Sequence, residues 1–383
     1  MAADLLHRVG LESSDLLTLT PRSRTRRIVD RVQHAPDNTR ARIEGVAGRV
    51  VAFTERDILG ETALRAACSE RPDLLTYLER TLSLEERALH VLLADPSIFN
   101  RASNIAAGHG WRGGRQHCAF HIEPGSTLTT VLEEAVSSIA TVIQATQGGR
   151  QVDSEHFIYP DLFSTDAGEI TATTPVVHHI AVYVEASASY WLEFEESQPR
   201  IAPVLRREAH EIAIDYYPES GDLHVAGKGV GGSKTLEEIA EIFGTEALVG
   251  ARVQRVERMT WHLDVFRSVR TPVLTPPEGY GPITIEEVAF RNSKRKSALV
   301  SYKGGEGRDA YTRMRELGLT QDKLAAELVR SVTLRFTTLA DTLEDERRIR
   351  ATLSWPSTLS FDSAMPADRR SITKWAGELG ANR

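Results

Sequence analysis

Residues 211–225, EIAIDYYPESGDLHV, decide how the chain is read. Ile212, Ile214 and Tyr216 fall on alternate positions. Pro218-Glu219-Ser220-Gly221-Asp222 is dense in turn formers, and Leu223 and Val225 then run back. A period of two puts one face of a strand on a core and the other in water. Strand, tight turn and strand make a hairpin. The same pattern extends through residues 174–232: Ile180, Val182 and Val184 share one face, and Tyr190, Leu192 and Phe194 alternate with Trp191, Glu193 and Glu195. Strands that are half polar fit an antiparallel sheet, since a buried parallel strand is apolar on both faces.

Outside this stretch the periodicity changes. Arg22, Arg24, Arg26, Arg27 and Arg31 cluster around Ile28 and Val32, which reads as a short basic helix. Ser83 with Glu86 forms a capping box ahead of Leu89, Leu92 and Leu93, and Asp95-Pro96 opens a further helix. Leu128, Val131, Leu132, Ala135, Ile139, Val142 and Ile143 predict a long amphipathic helix ending at Gly148-Gly149. Thr235 with Glu238 predicts another helix start. Residues 253–266 read as strand, 283–290 and 298–302 as a hairpin with a basic tip, 309–317 and 320–330 as helices, 358–362 as strand and 367–379 as helix. Helices dominate before residue 174 and strands after it, so the fold class is α+β. The expected organisation is a mostly helical region 1–150, an antiparallel β-rich region 151–305 and a mixed helical region 306–383.

The 383 residues suffice for two or three domains. A hydrophobic fraction of 41% and a charged fraction of 26% are those of an ordinary globular protein. Cys68 and Cys118 are too few for a disulfide framework, which points to a reducing compartment. No run approaches a membrane span, and a cytoplasmic location is expected. The net charge of −7 is unevenly spread: residues 251–383 hold 23 Lys and Arg against 17 Asp and Glu, residues 1–49 hold nine Arg against six acids, and residues 50–250 carry −16. Basic ends around an acidic middle suit an anionic partner.

Five groups of residues carry candidate chemistry. Arg291, Lys294, Arg295 and Lys296 sit on the predicted hairpin tip, with Lys303, Arg308, Tyr302 and Tyr311 close by. Cations interleaved with aromatics suit phosphate contact and base stacking. His109, His117, Cys118, His121 and Glu123 share a glycine-bounded stretch, in which His117, Cys118 and His121 are candidate zinc ligands and Glu123 a candidate base for a metal-dependent hydrolase or nuclease. His179, His210 and His224 would meet only if their strands brought them to one face. Gly227, Gly229 and Gly232 spell G-x-G-x-x-G between a strand and a helix, although the strand belongs to a hairpin and not to a parallel crossover.

The fifth group, Leu317-Gly318-Leu319-Thr320-Gln321-Asp322-Lys323-Leu324-Ala325, resembles the opening of a helix-turn-helix of the lambda-repressor type. The resemblance covers about a dozen residues. Val329 stands where the turn glycine belongs, and residues 332–336 alternate like a strand. It would imply base contacts from Thr333 and Arg335. These readings converge on a non-enzymatic intracellular binding protein that engages DNA or RNA through its basic C-terminal part, with Arg291, Lys294, Arg295, Lys296, Lys303 and Arg335 as contacts. The other classes left open are the metal enzyme and a protein-interaction subunit whose acidic middle faces a partner.

Overall fold

A computed structural model describes residues 20–56, 58–79, 83–112, 114, 116–123, 132–147, 151–164, 170–171, 173–185, 189–194, 201–206, 209–227, 232–248, 251–256, 261, 263–292, 299–305, 308–325, 327–339, 346–355, 358–362 and 364–381. The chain divides into two compact units. The first takes the described residues up to Gly110, with Phe157–Leu162 and the short piece that ends at Val176. The second takes the rest.

The first unit is helical, with α1 (Pro21–Gln33), α2 (Asp37–Thr54), α3 (Ile58–Ala67), α4 (Pro72–Leu78), α5 (Leu84–Ala94) and α6 (Pro96–Trp111, its last residue in the second unit). Local chemistry explains several starts. The Thr20 hydroxyl accepts from the Ser23 amide ahead of α1. Ser83 and Glu86 close a full capping box on α5, and Asp95 accepts from the Ser97 amide at 3.0 Å. The core includes Ile43, Val50, Phe53, Leu64, Val91, Phe99 and Ile105. The rings of Phe53 and Phe99 lie 5.2 Å apart.

The second unit is α+β, as the alternation requires. It begins with β1 (His117–His121), α7 (Leu132–Gln147), β2 (Val152–Pro160, its last four residues counted in the first unit), β3 (Val176–Glu185, its first residue counted in the first unit), β4 (Ser189–Phe194), β5 (Ile201–Arg206), β6 (Ala209–Tyr217), β7 (Asp222–Gly227), α8 (Ser233–Ile242) and β8 (Gln254–Arg255). These make a six-stranded sheet in the order β2-β3-β6-β7-β1-β8 and a separate ribbon of β4 with β5. The expected hairpin is β6–β7, and Gly221 at φ 74 supplies the left-handed turn residue. Ile180, Ile214, Val225 and Cys118 lie in one cross-strand row. That face buries against Ala135 and Ile139 of α7, Leu236 and Ile239 of α8, and Phe243.

The chain continues through a 3-10 turn at Leu263–Phe266, β9 (Thr284–Asn292), β10 (Leu299–Lys303), α9 (Ala310–Glu316), α10 (Gln321–Ala325), β11 (Glu327–Thr337), β12 (Arg348–Ser354), β13 (Thr358–Asp362) and α11 (Pro366–Ala381). The sheet order is β10-β9-β11-β12-β13, antiparallel at every step. Val288, Phe290, Val332, Leu334, Phe336, Ile349 and Leu353 face Tyr311 and Met314 of α9 and Ile372 and Trp375 of α11.

Four expectations change here. His109 is buried near the end of α6, and His117–His121 is strand, so the glycine-bounded stretch is no single loop. Residues 253–266 supply only the two-residue β8 and a 3-10 turn among those described. α8 starts at Ser233, with Gly232 as its cap, instead of at Thr235. The helix expected at 320–330 stops at Ala325, and β11 starts at Glu327. Val329, Val332 and Leu334 pack into the sheet core, so Thr333 and Arg335 lie on a strand and no recognition helix exists there. β-branched and aromatic residues facing an apolar layer favour strand over helix.

Phe336 is fully buried, with the rings of Tyr280 and Trp375 edge-on at 6.1 and 5.2 Å. Phe336→Ala should therefore lower the unfolding free energy by about 3–5 kcal/mol. Urea titration of the whole chain measures this.

Candidate functional site

The face of the C-terminal sheet turned away from α9 and α11 collects residues that are far apart in sequence. Registered partners point to the same side. Leu299, Arg291 and Leu328 make one row. Ser301, Ala289, Ser331, Ser354 and Thr358 make the next. Lys303, Glu287, Thr333, Thr352 and Ser360 follow, then Arg335 beside Arg350 and Thr337 beside Arg348. Two bulges interrupt the β9–β11 register. Arg330 is the additional residue between Val329 and Ser331 on β11, and Glu286 the additional residue opposite the Thr333/Leu334 step.

Three sequence-predicted contacts, Arg291, Lys303 and Arg335, thus share one face, and Arg348 and Arg350 join them. Lys294, Arg295 and Lys296 lie outside the described residues, in the connection between β9 and β10. Carboxylates stand among the cations. Lys303 pairs with Glu287 at 3.4 Å. Glu286 bridges Arg335 at 3.4 Å and Arg350 at 2.9 Å, so one negative charge serves two positive ones. Arg348 is 70% exposed beside Glu346 at 3.5 Å. Asp362 is in register with Arg350. Hydroxyls fill the centre, where Thr333 and Thr352 hydrogen-bond at 3.0 Å. Thr333 is buried there, and Ser331, Thr352 and Ser354 are the partly exposed hydroxyls beside the guanidinium groups, a set that suits an anionic, hydrogen-bonding ligand.

A second polar cluster lies on the six-stranded sheet, on the face opposite its helices. His179, Asp215 and His224 occupy one cross-strand row. His179 Nδ1 is 2.6 Å from Asp215 Oδ1, and the two are 0% and 2% exposed. Arg112 donates to Asp215 Oδ2 at 2.8 Å and to the Tyr217 hydroxyl at 2.6 Å. His117 Nε2 and His224 Nδ1 lie 3.1 Å apart in stacked rings. Burial, with the Arg112 charge and His117 adding to it, holds His224 well below the ordinary histidine range, against the pull of Asp215. His179 and His224 do reach a common face. His210 pairs with Val184 and points to the other side.

The proposed zinc ligands are not brought together. Cys118 faces the apolar core, while His117 and His121 point the other way, about 13 Å apart along the strand by the rise per residue. His121 instead lies 3.7 Å from Asp222. Among the described residues no group of three His, Cys, Asp or Glu side chains could hold a metal ion. Of the glycine motif, Gly227 ends a strand paired antiparallel on both sides and Gly229 lies outside the described residues. On α1, Arg22, Arg26 and Arg27 are exposed.

No protein-family profile and no curated protein matches the chain. No described helix is long and apolar enough to cross a membrane. The arginines of β12 were missed by sequence reading, although Arg348, Arg350 and Thr352 alternate with Ile349, Ala351 and Leu353.

Removing a buried ionic partner is costly. Asp215→Ala should destabilise the protein by about 3–5 kcal/mol, read from urea midpoints. A second prediction concerns pH. Burial and the neighbouring His156 lower His178 from 6.5 to about 4. As pH falls below 6.5 the unfolded chain gains a proton there that the folded chain does not take until about 4, so stability declines across that window. In His178→Gln the decline should be shallower, measured as unfolding midpoints over the same pH range.

Proposed function

We propose that this chain is a non-enzymatic binding protein that holds a nucleic-acid strand on the open face of its C-terminal sheet. One observation carries the reading: Arg291, Lys303 and Arg335 lie on the same face as Arg348 and Arg350, and the Lys294–Lys296 connection joins two strands of that sheet. Cations on a face lined with Ser and Thr hydroxyls contact phosphate and sugar oxygens and leave base identity largely unread. Five antiparallel strands span roughly 20 Å, enough for several phosphates.

A second reading, a protein partner, is favoured by β10. It is an edge strand whose Leu299 and Val300 are both exposed. An edge of this kind accepts an added strand.

Fluorescence anisotropy with labelled oligo-dT and its duplex, titrated at several salt concentrations, separates the two readings. The wild type should bind with an affinity that falls steeply with salt. The reversals Arg348→Glu with Arg350→Glu should weaken binding and reduce the salt slope by about 1 for each phosphate that is no longer held. Reversing Lys294, Arg295 and Lys296 should act in the same direction. A wild-type protein that binds neither probe at low salt refutes the nucleic-acid reading.

A further inference from the structure

Between the 3-10 turn and β9 the chain runs through residues 267–283 without forming a helix or a strand. Pro272, Pro276 and Pro277 account for this. Each lacks a donor N–H, fixes its own φ and holds the residue before it extended. The segment is tied down at three places. The Tyr311 hydroxyl donates to the Phe266 carbonyl at 2.7 Å. The Trp375 indole N–H, from α11, donates to the Thr275 carbonyl at 2.6 Å. The Tyr280 hydroxyl donates to Asp368, in the first turn of α11, at 2.7 Å. A proline-stiffened wall fixed in this way has little freedom to collapse onto the helix beside it. It leaves a cleft of about 800 Å³ against α11, within the roughly 300–1,000 Å³ range of small-molecule sites.

The lining has an apolar part and a charged part. Leu274 and Pro276 on the segment and Leu379 on α11 supply the first. Val273 lines the cleft too and is 98% exposed, so a bound apolar group would cover surface that is now in water. The charged part is Glu278 on the segment, with Lys374 and Glu378 one turn apart on α11. Lys before Glu is the weaker order for a pair four residues apart on a helix. Among the described residues none of these three belongs to an ion pair. Two carboxylates on opposite walls against one ammonium leave the cleft one net negative charge, which favours a cation over an anion.

We infer that this cleft is a binding site for a small organic amine, its ammonium head met by Glu278 and Glu378 and its apolar body laid against Leu274, Pro276 and Leu379. The site goes beyond the nucleic-acid reading and does not rest on it, because α11 packs on the side of the sheet opposite the cationic face.

Calorimetric titration of the full chain with phenethylamine and with phenylpropionate tests this, since the two share a body and differ in the charge of the head. Phenethylamine should bind and phenylpropionate should bind at least about tenfold more weakly. Glu278→Gln with Glu378→Gln should weaken phenethylamine about tenfold, by the loss of charge-assisted hydrogen bonds. Lys374→Gln should tighten it a few fold by removing a like charge. All three side chains are exposed, so the variants should keep the wild-type urea midpoint. Tighter binding of phenylpropionate, phenethylamine affinity unmoved by the double variant, or a wild type that binds neither probe at millimolar concentration would each overturn the inference.

Discussion

The pairing of β9 with β11 fixes what the C-terminal sheet can present to a partner. Val288, Phe290, Val332 and Leu334 must reach the apolar layer beneath α9 and α11, and a slip of one residue would carry them all into water. That demand leaves no freedom for the residues between them. Arg291, Glu287, Thr333 and Arg335 take the other face because their neighbours are buried. The polar surface is therefore dictated by the core, and one departure from regular alternation, the bulge at Glu286, delivers a charged side chain to it.

The architecture was readable to the extent that it follows local alternation. The β6–β7 and β9–β10 hairpins, the Ser83 capping box and the C-terminal helix all stand close to where residue spacing puts them. The errors came where two signals competed. Thr320, Gln321 and Leu324 suit a helix start, and a five-residue helix forms. Val329, Val332 and Leu334 then find an apolar layer, and tertiary burial outweighs the weak preference of the preceding turn. The His117–Cys118 pair misled for a simpler reason: adjacent residues on a strand point apart, and only the strand assignment reveals it.

The candidate face was half legible. Arg291, Lys303 and Arg335 could be named from composition, but their companions Arg348 and Arg350 depend on a strand order in which β11 lies between β9 and β12. Sheet order is a long-range property, and no local window contains it. The His179–Asp215–Arg112 cluster depends in the same way on the registers of β3, β6 and β7. Its members are separated by up to 103 residues, and its burial argues for fixing the fold in one arrangement more than for turnover.

The carboxylate of Glu286, wedged between two guanidinium groups, acts as a tethered counterion. An incoming anion has to displace it or share with it, whereas free salt ions at an ordinary basic patch simply diffuse away. Part of the positive charge of this face is thus answered from within the chain, by a carboxylate whose place is set by the bulge in β9.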